Sequence, residues 1–350
     1  MATDYQEGVR ALLCTEHGMA QPRLRPDEID SFITDPRNLL WLDVDLSVAK
    51  DLSLLRQEFG FHELTLEDAV RPHQRPKIDP YGTYSFLIFY AVTVERLKDG
   101  EAEAPPPPNG RAPGMQIGSG PIHAHQVAIF VGANYLVTVH NGALAEIEEI
   151  AARWHENIGK IERSIGTLLY SLLDTIVDDY FPVVDQIADI VEDIEEGVFE
   201  RFRPEVLEDI FTLKKSLLAM RKVVAPERDV ANVLIRRDLP LFGAESIIYF
   251  QDLYDHLVRV TDSIDIYRDL LNSALDGYMS MSSNRLNDVM KTLTSWSIPL
   301  MAGAFLAGVW GMNFEHQPEF TWRYGYLFAW GTIITVFVVI WIYFRRKRWL

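Results

Sequence analysis

The chain has 350 residues, of which 48% are hydrophobic and 24% charged, and a formal net charge of −17. That balance suits a large water-soluble region with room for a membrane part. One cysteine, Cys14, excludes an internal disulfide and any cysteine-built zinc or iron–sulfur centre. Six of the 33 basic residues and only two of the 50 acidic ones lie from Lys291 onward, so residues 1–290 carry 27 basic and 48 acidic side chains. So acidic a leading part argues against a nucleic-acid partner. It is compatible with cations, and equally with an acidic surface kept for solubility. The N-terminus has no basic start and no apolar run of signal-peptide length, which places the leading part in the cytoplasm as an expectation.

Residues 1–36 are of mixed polarity, punctuated by Pro22, Pro26 and Pro36, and are set apart as an N-terminal segment. Asn38 to Asp45 reads as a short buried strand, Ser47 to Phe59 as a helix with Ser47 as its N-cap, and Phe61 to Val70 as a second short helix. His62, Glu63 and Glu67 are conceivable metal ligands there, but a capped surface helix with solvated charges explains them better. Ser85 to Val94 is rich in aromatic and β-branched residues and reads as a strand. Residues 98–120, with prolines at 105–108 and several glycines, read as a flexible loop without a core or a phosphate-cradling motif. Gln126 to His140 reads as two strands around Gly132-Ala133-Asn134, with His140 structural rather than catalytic. Residues 37–142 are therefore expected to form an α/β domain.

Residues 143–242 read as helices. Ile161 to Phe199 carries an acidic stripe of Asp185, Asp189, Asp193, Glu196 and Glu200, with Glu192 and Glu195 beside it. Acids three or four apart on one helix face repel unless water or a cationic partner answers them. Pro204 to Asp238 reads as another helix, bearing Lys214, Lys215, Arg221 and Lys222.

From Gly243 to Asn313 Pro299 is the only proline. A continuous helix of that length reaches roughly 100 Å, too long for the inside of one domain. Its first part, the stalk of residues 243–291, has an apolar seam at Leu253, Leu257, Val260, Ile264, Tyr267, Leu271, Ala274, Tyr278 and Met281. Steps of four and three suit packing along another helix. Residues 292–314 and 324–344 then carry no charge, and each is long enough to cross a hydrocarbon layer of about 30 Å. The polar link 315–323 makes them a hairpin. Lys291 precedes the first span and Arg345, Arg346, Lys347 and Arg348, in the tail 345–350, follow the second, so the positive-inside rule puts both ends in the cytoplasm. Two helices cannot enclose a pore, so a transporter of this build is an oligomer with one helix per subunit around the axis. The first span is the better lining: small residues stand four apart (Gly303, Ala307, Gly311 and Ala304, Gly308), with sparse polar Thr294, Ser297 and Asn313. A plain membrane anchor, the alternative, has no need of so long a helix.

Gly311-Met312-Asn313 at the end of the first of two C-terminal spans, followed by Phe314-Glu315 and Pro318-Glu319, resembles the signature of CorA-type magnesium transporters. Tyr278, Asn284, Asn287, Met290-Lys291 and Leu293-Thr294 match the family's approach to the membrane. Leu66-Glu67-Asp68, Gln74-Arg75-Pro76-Lys77, Thr138-Val139-His140 and Arg221 with Pro226 match upstream. Pro299 lies about three residues earlier than the family's usual proline, and the 98–120 loop looks longer than usual. The resemblance implies an α+β (α/β) cytoplasmic domain, long stalk helices and a two-helix transmembrane hairpin, assembled as a funnel-shaped homopentamer in the plasma membrane. It implies import of Mg²⁺, with Co²⁺ or Ni²⁺ also passing, and neither catalytic residues nor an organic cofactor.

In that frame Gly311, Met312 and Asn313 form the outer selectivity ring, with Glu315 and Glu319 concentrating cations beside it. Neutral oxygens would accept hydrogen bonds from the water shell that Mg²⁺ sheds reluctantly. The lining passes Gly308, Ala304, Met301, Ser297, Thr294, Met290 and Asn287, with Met290 and Leu293 as an apolar constriction. Lys291 and Arg345 to Arg348 form a basic collar, answered by the acidic stripe. Asp252 and Glu95 are expected to hold a regulatory Mg²⁺ between subunits. A zinc transporter of the same superfamily and a non-transporting scaffold are the alternatives.

Overall fold

The segment Ser85–Val94 folds as a ten-residue strand, β5, of a mixed eight-stranded sheet in the computed structural model. The structure describes residues 8–15, 18–20, 26–49, 52–94, 115–116, 122–156, 164–199, 205–236, 242–243, 245–312, 321–347 and 349. The other strands are β1 (Val9–Thr15), β2 (Gly18–Ala20), β3 (Leu39–Asp45), β4 (Lys77–Pro80), β6 (Met115–Gln116), β7 (Ile122–Val131) and β8 (Tyr135–His140). Their order is β2-β1-β3-β8-β7-β5-β4, with β6 on β7. Among these pairings only β3 with β8 is parallel.

Burial explains the composition of the strands. Every residue from Phe86 to Val92 and from Val127 to Val131 is buried, so the alternation of a half-exposed sheet is absent. Helices cover it: α1 (Pro26–Thr34) packs on β3, α3 (Glu63–Val70) on β7 and β8, and α5 (Ile165–Asp178) on β5 and β8. Phe61 stacks on Phe130 at 4.1 Å between centroids. The β7–β8 hairpin turns where the sequence predicts. A Cβ on Gly132 would lie 2.1 Å from the Tyr135 ring, so glycine alone fits under that side chain. Asn134 in the turn donates to the carbonyls of Ile33 and Asp35, fixing the end of α1.

Three readings of the sequence are corrected. The helix expected from Ser47 begins only at Ser53, as α2 (Ser53–Phe59). Ser47 is instead in a turn closed by Asp45, whose carboxylate takes the Ser47 N–H at 2.8 Å and the Gly142 N–H at 2.8 Å. Val9–Thr15 pairs antiparallel with β3, placing Leu12 opposite Trp41, so the sheet extends into the segment set apart as N-terminal. The helix expected across residues 161–199 is two, α5 and α6 (Tyr180–Phe199), after α4 (Ala145–Glu156). Pro182 has no N–H for the Asp178 carbonyl, and the chain turns at Asp179. Residues 98–114 and 117–120 of the proline-rich loop lie outside the described residues.

The helix α7 (Val206–Ile235) continues through Pro226. The long helix is α8 (Ser246–Trp310), with Pro299 inside it, and the last is α9 (Gly325–Arg346). The described residues fall into two units. One runs to Gly197 and resumes from Glu205 to Ser273; the other holds Val198, Phe199 and the residues from Ala274 onward. In the first, the seam residues Leu253, Leu257, Val260, Ile264 and Leu271 are buried. Arg221 of α7 grips Asp265 of α8 side-on, its Nε and Nη2 donating to the two carboxylate oxygens at 2.9 and 3.3 Å. In the second, the end of α8 and α9 are long and apolar enough to cross a membrane. They approach closely: a Cβ on Gly303 would touch Ile333 at 3.6 Å.

Candidate cation sites

Asp174 and Asp178 stand one turn apart on α5, and Asp252 and His256 one turn apart on α8, so each pair shares a face. Packing brings the faces together. His256 Nδ1 lies 3.8 Å from Asp174 Oδ1 and 3.7 Å from Asp178 Oδ1, and its Nε2 lies 3.8 Å from Asp252 Oδ1. These separations exceed hydrogen-bond length. Asp174 Oδ1 and His256 Nδ1 are buried with no hydrogen-bond partner among the described residues. Tyr170, one turn before Asp174, donates to Asp252 Oδ2 at 3.2 Å.

Burial pushes the Asp174 carboxyl above its ordinary range, and the charge of Asp178 pushes it further. Burial and the neighbouring carboxylates also raise the Tyr170 hydroxyl. Several acids with two unpartnered ligand atoms are what a divalent cation relieves. One ligand atom from each of Asp174, Asp178 and His256 lies within 4.8 Å of the others. Opposite ligands of an octahedral Mg²⁺ stand only about 4.2 Å apart. The group as it stands suits an ion that keeps part of its water shell. The imidazole also admits Co²⁺ or Ni²⁺. Of these residues the sequence singles out Asp252 alone; its expected partner Glu95 lies outside the described residues. The one-turn spacing of Asp174 with Asp178 and of Asp252 with His256 was the available signal, but nothing in sequence says the two helices meet there. His62 takes the capping role: its Nδ1 accepts the Leu64 N–H at 3.2 Å and caps α3.

At the far end of α8, Gly311 N donates to the carbonyls of Ala307 and Gly308 at 3.0 and 3.1 Å, and Met312 N to Val309 at 3.3 Å. Asn313, Glu315 and Glu319 lie outside the described residues. A helix C-terminus carries partial negative charge on its unpaired carbonyls, which favours a cation there. Below it, Asn287, Met290, Thr294, Ser297, Met301, Ala304 and Gly308 recur at steps of three and four and so lie along one face. All but the half-buried Thr294 are exposed in the single chain, as is Leu293 beside them. Asn287, Met290, Lys291 and Thr294 border an open cleft of about 570 Å³ shared with Trp349. Lys291 pairs with Asp288 at 2.9 Å. Arg345 and Arg346 end α9, Arg345 lying over the Trp341 ring at 5.2 Å, and Lys347 caps the helix. Arg348 lies outside the described residues. The stripe residues Asp185, Asp189, Glu192 and Asp193 are exposed.

The sequence matches the family model described as CorA-like Mg²⁺ transporter protein over residues 37–346. It is similar to the cobalt/magnesium transport protein CorA of Thermotoga maritima, at 33% identity over 294 residues, 83% of this chain and 78% of that protein. Among solved structures, the complete CorA magnesium transporter of Methanocaldococcus jannaschii aligns over 100% of both chains at 22% identity with a TM-score of 0.78. The full-length CmaX protein does so at 20% identity with a TM-score of 0.72. At those identities the two structures speak for the fold. With the family model spanning both units, the sheet domain and the two apolar helices alike, the chain belongs to the CorA family of metal-ion transporters.

Proposed function

We propose that this chain is a Mg²⁺ channel, also passing Co²⁺ and Ni²⁺, that works as a homopentamer in the plasma membrane with both termini cytoplasmic. The observation that carries the reading is the face of α8 from Asn287 to Gly308, left largely uncovered in one chain and ending at the Gly311-Met312 turn. Five copies around an axis would turn that face into a pore wall. Gly311 carbonyls and Asn313 side chains would meet the ion's water shell, and neutral oxygens release the ion as readily as they take it. Glu315 and Glu319 would gather cations at the mouth. Met290 and Leu293 would close the pore by dewetting, with Lys291 and the Arg345–Arg348 run as the collar that the acidic stripe draws aside.

Feedback by internal Mg²⁺ would act at Asp252, with Glu95 supplied across the subunit boundary and Asp174, Asp178 and His256 completing the group. The reading calls for no enzymatic step, organic cofactor or nucleic acid. The test is Mg²⁺ flux into proteoliposomes, wild type against Asn313→Ala, with Zn²⁺ and a pH gradient as controls. Flux lost in the variant and indifferent to the gradient supports the channel. Proton-driven Zn²⁺ flux without Mg²⁺ flux would make the protein a zinc transporter, and no flux of either would make it an anchor.

A further inference from the structure

Glu227, in α7 directly after Pro226, is fully buried, as is Tyr180 at the start of α6. Glu227 Oε1 accepts the backbone N–H of Tyr90 at 2.8 Å, and its Oε2 lies 2.9 Å from the Tyr180 hydroxyl. The same hydroxyl donates to the carbonyl of Tyr90. Tyr90 sits in β5 beyond the end of its ladder with β4, which stops at Ile88 opposite Lys77. The carboxyl and the phenol therefore stand in for a missing strand, taking the N–H and the C=O of one residue.

Counting protons decides the state of the carboxyl. A carbonyl oxygen only accepts, so the single phenolic proton is spent on Tyr90. The short approach of Glu227 Oε2 to the Tyr180 oxygen then needs a proton from the glutamate side. An ionised carboxylate would set two lone pairs face to face, or pull the phenol away and orphan a buried carbonyl. Among the described residues, the adjacent cation Arg228 turns to Asp229 at 3.4 Å, and the further charges acting on Tyr180 are the acids Glu146 and Asp179.

We propose that Glu227 is carried as the un-ionised acid, donating its proton to Tyr180, and that this proton pins α6 and α7 to β5. Burial also drives the carboxyl well above the usual glutamate range, in agreement with the count. A raised folded-state value makes the contribution complete below the unfolded value of about 4.3 and lost progressively as pH rises toward the folded one. Glutamine keeps the shape, with its amide N–H donating to Tyr180 and its carbonyl accepting from Tyr90.

The test compares full-length wild type with Glu227→Gln in detergent by infrared difference spectroscopy at neutral pH and by thermal midpoint across pH 4–9. The expected spectrum shows one un-ionised carboxyl band that the variant lacks. The wild-type folding equilibrium should lose about tenfold per pH unit relative to the variant as pH rises above about 4.3. If Glu227→Gln does not fold, Tyr180→Phe serves, because removing the acceptor must shift the same band. Parallel pH profiles, or no acid band altered in either variant, would overturn the proposal.

Discussion

His140 and Asp43 form a buried ion pair across the parallel strands β8 and β3, with Nε2 3.0 Å from Oδ1. The other ring nitrogen, Nδ1, lies 2.7 Å from the Gly142 carbonyl, which only accepts. With a carbonyl on one side and a carboxylate on the other, the surroundings of the ring favour its doubly protonated form. Thr138 donates to the same Asp43 oxygen and receives the Trp41 indole N–H at 3.1 Å. Burial alone would lower the His140 value; the hydrogen bond and charge of Asp43 outweigh it, and the net shift is upward.

A raised histidine stabilises the fold fully below its unfolded value of about 6.5 and ceases to do so as pH climbs through the folded one. The thermal midpoint should accordingly fall on the alkaline side, and His140→Gln should flatten that limb. Asp43→Ala leaves a buried cation unpaired and should cost about 3–5 kcal/mol in a denaturant melt at neutral pH. A wild-type midpoint flat from pH 6 to 9 would contradict the charged ring.

Divalent cations should stabilise the protein through the group around His256. Mg²⁺ at a hundred times its dissociation constant should add about 2.7 kcal/mol, and chelation should remove it. Asp174→Asn and Asp252→Asn should each abolish most of the Mg²⁺-dependent rise in thermal midpoint. Asp252→Ala with Glu95→Ala should also relieve inhibition of transport by high internal Mg²⁺. An unchanged cation response in the Asp174 and Asp252 variants would leave that group without a regulatory role.

Gly132→Ala should destabilise the β7–β8 hairpin by about 1–3 kcal/mol, because the Tyr135 ring must leave its place. Combining it with Tyr135→Ala should make the two changes markedly non-additive, which a double-mutant cycle of unfolding free energies would read.

At Gly303 the contact with Ile333 is ordinary for one added carbon. Gly303→Ala should therefore be nearly silent in both thermal stability and Mg²⁺ flux. Gly303→Leu should force α8 from α9 and lower both. Equal effects of the two substitutions would mean that close approach there is unimportant.

What could be read in advance follows from which signals are local. β5 reads from Ser85 to Val94 because aromatic and β-branched residues dominate it, and the α8 seam reads because its period is its own evidence. Ser47 misled because a good cap residue lies two positions after Asp45, whose carboxylate closed the turn first. β1, between β2 and β3, was missed because Val9–Thr15 has no strong local pattern and its strand character comes from those pairings. Asp174, Asp178 and His256 were illegible for a deeper reason: each looks like a solvated charge until α5 and α8 are packed together. Glu227 was overlooked likewise, since a glutamate after a proline in a charged helix gives no hint of full burial.

The parallel pairing of β3 with β8 also sets a timetable for synthesis. β1 hangs on β3, and β3 has no neighbour on its other side until residues 135–140 exist. The sheet must wait while nearly a hundred residues leave the ribosome, holding Trp41 and the leucines around it uncovered. After Tyr135–His140 emerges, about 150 residues remain before the apolar spans, or roughly 8–30 s at common translation rates. Sheets of this kind fold within seconds. The nascent chain can close its sheet before its greasy end demands delivery to a bilayer, so slowed closure of β8 would surface as a membrane-targeting defect.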